Sequence, residues 1–269
     1  PICTSGDWRL EQKERPFREL GGNKELFTKE IEEALLSGHI DLAVHSMKDV
    51  GSFLPKGIEI TAMLERADPR DAFIGRDVRT LDELPQGATV GTSSLRRQAQ
   101  ILAHRPDLKI VPLRGNVETR LKKLQDGMAD AIVLAMAGLI RLDLGHVVTS
   151  VLEMNVMLPA AAQGAIGVEI RSDDEEVRRL VSVINVPDTF VCVSAERAFL
   201  KILDGSCHTP IGAYAQLSGS LITLEGLAAR PDGTGVLRMK TVGEVEKAEE
   251  IGERLGQEMK GKLPEGFFV

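Results

Sequence analysis

The amino-acid sequence predicts an α/β protein with a helix-covered parallel sheet, followed by a separate, smaller α+β unit. Two patterns carry this expectation. Apolar runs alternate with helical patterns between residues 88 and 135, and beyond residue 204 alternating segments joined by a tight turn precede one last helix. A third observation sets the scale: 269 residues, 43% apolar and 27% charged, form an ordinary globular composition, long enough for one large domain or two to three small ones.

Taken in chain order, "LFTKEIEEALLSGHI" (26–40) reads as a helix with Ile31, Ala34 and Leu35 on one face and Gly38 near its C-terminus. A short strand expected to be buried, "DLAVHS" (41–46), follows it and ends in polar Lys48 and Asp49. The strands "ATVGT" (88–92), "KIVPL" (109–113) and "ADAIVLA" (129–135) are separated by the helical patterns 94–105 and 116–127, an alternation that implies parallel pairing. "VMLPAAAQGAIGVEI" (156–170) has an Ala/Gly-rich middle suited to a hinge that returns the chain to the first sheet. A helix at 194–203, a pair of antiparallel strands joined at "RPDGTG" and a final helix "KAEEIGERLGQEM" complete the reading.

Charge is distributed unevenly. The chain carries 33 Lys plus Arg against 40 Asp plus Glu, a net −7. Yet from Gly91 to Leu124 eight basic residues (Arg96, Arg97, Arg105, Lys109, Arg114, Arg120, Lys122, Lys123) face only Asp107 and Glu118. An acidic body with one Trp and one Tyr is poorly built for general nucleic-acid binding, so a small polyanion is the expected ligand. Ligands of open α/β sheets bind outside the carboxyl ends of the strands. The loops "GTSSLRR", "RGNVETR" and "MAGLIR" leave three such ends, so Arg96, Arg97, Arg114, Arg120 and Arg141 can converge on one rim, with Thr92 or Ser93 capping the first helix. Two guanidinium groups about 7 Å apart repel by roughly 2 kcal/mol at an effective dielectric near 20, so clustered arginines imply a counter-ion. Arg105, Lys109, Lys122 and Lys123 read instead as solvated helix faces.

Other residue types narrow the chemistry. Lys48 and Asp49 place an ammonium beside a carboxylate just past a strand end; from the residues alone a turn role and a charge-stabilising role both stand. Cys207 lies in a glycine-containing loop, whereas Cys192 in "FVCVS" has the apolar neighbours of a packed thiol. Three widely spaced cysteines give neither a disulfide framework nor a metal pattern, so no metal site is expected. No apolar run reaches the roughly 20 residues of a membrane span, and the start "PICTSGDW" lacks a secretion signal, which points to the cytoplasm.

Together the segments "LFTKEIEEALL", "DLAVHSMKDV", "ERADPRDAF", "VGTSSLRRQAQ", "LRGNVETRLKKL", "AIVLAMAGLIRL", "PAAAQGAIGVE" and "AERAFLKILDGSCHTPIGAYA" resemble, over nearly the whole chain, the porphobilinogen deaminases. The resemblance implies two periplasmic-binding-protein-like α/β domains joined by a hinge, over residues 1–64 with 165–182 and 70–158, and a smaller α+β domain over 187–269. It implies a covalent dipyrromethane cofactor on Cys207, to which four porphobilinogen units are added with loss of ammonia before hydroxymethylbilane is released. Asp49 matches the catalytic aspartate. Lys48, Ser93, Ser94, Arg96, Arg97, Arg114, Arg120 and Arg141 match the residues that bind the carboxylates of cofactor and growing chain, and Lys24 matches a lysine on a loop near the cleft. Porphobilinogen would be the one small-molecule partner of a monomer that binds no nucleic acid or membrane. Gly51, Ala162 and the Ser206–His208 triplet depart from the usual family pattern. A strand and helix at the family's front, about 35 residues by the family alignment, are expected upstream of Pro1. The competing expectations are a non-catalytic binding protein for small carboxylates and a truncated, inactive deaminase.

Overall fold

The computed structural model describes residues 25–203 and 209–268, so Lys24 and Cys207 lie outside the described residues. Helix α1 (Glu25–Leu36) stops two residues before Gly38, as the sequence predicts. Strand β1 (Leu42–Ser46) then runs directly into a single 3-10 turn, Met47–Asp49.

The first sheet has the order β1-β8-β2, with β8 (Ile166–Arg171) between β1 and β2 (Ile58–Met63). Both pairings are antiparallel. The hinge-like segment 156–170 therefore does return the chain to this sheet, but the parallel pairing read from the alternating pattern does not extend to it. Its central strand arrives from over a hundred residues downstream, and no local pattern encodes its direction. Nor is β1 buried on both sides: Ala43 and His45 point inward, while Leu42 and Val44 are 42% and 59% exposed.

The second sheet has the order β5-β4-β6-β3-β7. Its strands are β3 (Asp71–Gly75), β4 (Thr89–Gly91), β5 (Lys109–Val111), β6 (Ala131–Ala135) and β7 (Ser150–Leu152). β5, β4 and β6 are parallel, joined by helices α2 (Leu95–His104) and α3 (Val117–Gln125). β3 and β7 add antiparallel partners, so the sheet is mixed. Phe73, Val90, Ile101 and Val133 pack on one face and Ile74, Leu113, Ile132 and Leu139 on the other. Burial on both faces is why these strands read as continuous apolar runs.

The C-terminal unit is a meander of β9 (Ile211–Ser218), β10 (Leu221–Ala228) and β11 (Leu237–Glu244). Helices α6 (Pro187–Ile202) and α7 (Ala248–Lys262) supply Phe199, Ile251 and Met259 to a shared core with Leu224. α6 begins at Pro187, well before the expected residue 194, because proline is suited to the first helical position, where its missing N–H is not needed. Two shorter helices remain, α4 (Met136–Arg141) and α5 (Glu175–Val181).

A basic cavity at the strand ends

A cavity of about 290 Å³ opens where the carboxyl ends of β1 and β4 meet the crossover segment and the start of β9. Its lining includes Lys48, Asp49, Thr92, Ser93, Ser94, Arg96, Arg97, Arg120, Gln163 and Thr209. Lys48 and Asp49 come from the 3-10 turn after β1, the arginines from α2 and α3. Leu200, Thr209 and Ile211, which flank residues 204–208 in sequence, also line it.

Local rules explain the placement of α2. Ser94 caps the helix by accepting from the Arg97 N–H, and Thr92 Oγ1 accepts from the Ser94 N–H, so the cap is Ser94 rather than Thr92 or Ser93. The Ser93 hydroxyl bridges to β5's end instead, donating to Leu113 O and accepting from Leu113 N, both at 3.1 Å. α3 is capped by the Asn116 side chain, and Arg120 Nε donates to Gly115 O at 2.8 Å. Gly115 sits at φ +117°, where a Cβ would come within 2.7 Å of Thr119, so the loop that presents Arg120 requires glycine.

The electrostatic centre of the site is Asp71, the first residue of β3, which the sequence reading did not single out. Its carboxylate is fully buried. Oδ1 accepts from Arg97 Nε and Nη2 at 3.2 and 2.7 Å and from Gln163 Nε2 at 3.0 Å, while Arg96 Nη1 lies 2.8 Å from Oδ2. Arg97 Nη1 donates to Val133 O and Arg96 Nη1 to Leu158 O. Burial alone would raise the Asp71 pKa, but the charges of Arg96 and Arg97, with the hydrogen bonds of Arg97 and Gln163, hold it far below the usual carboxylate range. Clustered arginines were expected to imply a counter-ion, and Asp71 is one supplied by the protein itself. Its signal lay in "ERADPRDAF", the one strand-start acid in that stretch.

The remaining cations are less satisfied. Burial lowers the pKa of Lys48, opposed by the neighbouring Asp49, with Arg97 and Arg96 adding to the fall. Burial also lowers that of Arg120, again with Arg97 contributing. No carboxylate among the described residues forms a salt bridge with either one. Among the described residues, four cations thus face two carboxylates, Asp49 on the lining and Asp71 behind it, an excess of two positive charges. Asp49 itself is exposed at the rim.

Two of the expected rim residues are not part of this lining. Arg114 and Arg141 do not line the cavity. "MAGLIR" is not a loop: α4 starts directly at the end of β6, and its six residues carry Arg141 to an exposed C-terminal turn. Cys192 is buried, and burial first, then the charge of Glu196, pushes its thiol up to about 11, the state of an inert packed cysteine. Among the described residues no cluster of three or more His, Cys, Asp or Glu could hold a metal, and no helix is long and apolar enough to cross a membrane.

A cavity with surplus cations at strand ends suits a polycarboxylate, and comparison with known proteins points the same way. The family model for the dipyrromethane cofactor-binding domain of porphobilinogen deaminase matches residues 1–179, and the model for that enzyme's C-terminal domain matches 190–261. The porphobilinogen deaminase of Paracoccus denitrificans is 51% identical over 99% of this chain and 84% of its own length. That of Chromobacterium violaceum is 49% identical over 96% of this chain and 82% of its own. Among solved structures, a putative methionine-binding lipoprotein from Bacillus subtilis is 14% identical over 60% of this chain and 76% of its own, at TM-score 0.39. With both family models in sequence order and half of all residues shared across almost the full chain, the protein belongs to the porphobilinogen deaminase family.

Proposed function

We propose that the chain is a cytoplasmic, monomeric transferase that joins four porphobilinogen units head to tail, releasing ammonia and finally hydroxymethylbilane. The observation that carries this reading is the ring of Lys48, Arg96, Arg97 and Arg120 around a cavity whose rim holds an exposed carboxylate, Asp49. The proposed domains are residues 1–64 with 165–182, 70–158 and 187–269, a grouping the three sheets support for the described residues.

The donor set fits a dipyrromethane cofactor, since the surplus positive charge and the poorly paired Lys48 and Arg120 suit its carboxylates. When bound, the cofactor supplies the anchored pyrrole to which the first substrate unit is joined. Cys207 is the proposed attachment point, supported by Leu200, Thr209 and Ile211 lining the cavity on either side of residues 204–208.

Each charge-assisted hydrogen bond from these cations to an acetate or propionate group contributes about 1.5 to 3 kcal/mol. Arg97 spends most of its donors on Asp71 and Val133 O, so its share is chiefly charge and shape. Arg120 and Lys48 have more to give. Ser94, whose oxygen caps α2, keeps its hydroxyl proton for a ligand. Arg114 and Arg141 remain proposed contacts for the lengthening chain beyond the cavity, and Lys24 one from the preceding loop. Asp49 faces the positive charge that develops on the substrate's pyrrole nitrogen as the aminomethyl C–N bond breaks, and can accept a proton afterwards. A fixed carboxylate about 4 Å from that charge is worth roughly 4 kcal/mol at an effective dielectric near 20.

The test is to incubate the purified protein with porphobilinogen and measure ammonia and bilane together with intact mass. Four ammonia per bilane and two pyrroles of added mass on Cys207 are expected. Tight porphobilinogen binding without ammonia release would instead identify a carboxylate-binding protein.

A further inference from the structure

The turn that carries Lys48 and Asp49 has little internal support. The bond that ends it, Val50 N–H to Met47 O, is 3.4 Å long, and contacts from outside hold the turn at both ends. At its start the Met47 N–H donates to Ala165 O at 3.0 Å, and the buried Met47 side chain lies over Gly167 of β8, where any Cβ would come 2.2 Å from the sulfur. At its end Val50 is fully buried, and Arg197 of α6 reaches across to donate from Nη2 to Gly51 O at 2.7 Å and from Nη1 to Val50 O at 3.4 Å. Lys201, one turn further along the same face of α6, places its ammonium 5.4 Å from the centre of the Phe53 ring.

The other face of α6 is fixed independently. Glu196, fully buried, accepts from Arg66 Nη1 and Nη2 at 2.6 and 3.0 Å, from the Ala162 N–H at 2.6 Å and from the Ala215 N–H at 2.8 Å. These partners belong to the two segments that cross between the first and second sheets, 64–70 and 153–165, and to β9. Adjacent residues of one helix therefore grip different parts of the molecule, Glu196 the crossovers and Arg197 the 50–51 backbone. The same helix contributes Leu200 to the cavity wall and ends at Ile202, just before the segment with Cys207.

We propose that Arg197 is a positioning residue that holds the Lys48–Asp49 turn in fixed register with helix α6, and so with the cavity wall next to residues 204–208. This rests on the role of Asp49 given above. A carboxylate that must face a charge developing on a tethered, lengthening chain needs its position fixed relative to the tether. Arg197 supplies that link through two backbone carbonyls without touching substrate. Burial disfavours the charged guanidinium, and Glu169, buried beside His45 at 3.0 Å with its second oxygen lacking a partner among the described residues, offsets part of that with its negative charge.

The experiment compares wild type, Arg197→Met and Arg197→Lys in the full-length protein by kcat, KM for porphobilinogen, intact mass and thermal midpoint. Arg197→Met should lower kcat by about tenfold to a hundredfold, the range expected from a displacement near 1 Å at a reacting group. KM should stay within about twofold and the mass on Cys207 should be unchanged, because the cavity cations are untouched. Arg197→Lys, which keeps the charge and can serve one carbonyl, should recover part of kcat. A folded Arg197→Met protein with wild-type kcat overturns the proposal, as does a loss of kcat matched by loss of cofactor mass. If Arg197→Met does not fold, Arg197→Lys decides: a reduced kcat at unchanged midpoint supports the role, and a wild-type kcat refutes it. A wild-type protein with no turnover refutes the functional reading and this role with it, whereas an active wild type with fully active variants refutes the role alone.

Discussion

Replacing Asp71 by Asn removes one charge while preserving shape, and the structure says where the damage falls. Oδ1 accepts three hydrogen bonds, two from Arg97 and one from Gln163, so the amide oxygen of Asn must take that position. Its NH₂ group then lies where Oδ2 was, 2.8 Å from Arg96 Nη1, donor against donor. Two guanidinium groups that are 5% and 7% exposed lose their shared counter-ion. Breaking a buried ion pair by removing one partner costs about 3 to 5 kcal/mol, and at about 2 to 4 °C per kcal/mol for a chain of this size the thermal midpoint should fall by roughly 6 to 20 °C. Because the cavity gains one net positive charge, a dicarboxylate such as succinate should raise the midpoint of the variant more than that of wild type. The sign of the pH dependence follows from the depressed Asp71 pKa: the unfolded state binds the proton first, so the contribution is complete above the unfolded value near 3.9 and is lost as pH falls further. The gap between wild type and Asp71→Asn should therefore narrow only below about pH 4. An unchanged midpoint at pH 7, or equal rescue of both proteins by succinate, would refute the counter-ion argument.

Other substitutions separate chemistry from architecture. Asp49→Asn, at an exposed turn, should keep the wild-type thermal midpoint while kcat falls by about 10² to 10³, the usual loss for a transition-state charge partner; near-normal turnover would reassign the role. Cys207→Ser should remove the two-pyrrole mass while Cys192→Ser retains it, as read by intact mass spectrometry, and the reverse pattern would move the attachment point. Ala162→Gly relieves a left-handed backbone at φ +63° worth about 1 to 2 kcal/mol, offset by a lost buried methyl and added unfolded-state entropy. Denaturant unfolding should place it within about 1 kcal/mol of wild type, whereas Ala195→Gly in the middle of α6 should cost about 2 kcal/mol.

The parts of the fold legible in the sequence were those whose partners are close in the chain. β4, α2, β5, α3 and β6 form consecutive crossover units, and their alternating pattern marked them directly. β2 and β3 left no such mark, because each pairs antiparallel with a strand more than 50 residues away rather than forming a consecutive crossover unit. Separation also hid the counter-ion, since Asp71 at the start of β3 meets Arg97 of α2 across 26 residues. Arg96, Arg97 and Arg120 were legible as a group because the strand-end rule depends only on local order. Arg141 ends helix α4 rather than lying in a loop, because nothing in "AIVLAMAGLIR" marks the point where strand becomes helix without a loop. Arg197 drew no notice because a single arginine within an apolar helical pattern reads as an exposed residue, and its carbonyl partners lie nearly 150 residues upstream.

The charge inventory of the cavity also bears on how one site can hold an oligomer of changing length. A site built of unpaired arginines would bind its first carboxylates very tightly and resist their displacement. Here Asp71 already occupies Arg97 on two donors and stands against Arg96, so these two cations reach a ligand with part of their charge spent. Among the described residues Arg120 donates to a carbonyl and to no carboxylate, and Lys48 has the mobile stem of a lysine. The cavity therefore grades its cations from prepaired and rigid to poorly paired and adaptable. A graded set favours binding strong enough to orient a carboxylate, yet weak enough to release it when the next unit arrives. That balance accounts for a buried aspartate paired with Arg96 and Arg97 behind the lining of a cavity meant for anions, where simple attraction would have left it out.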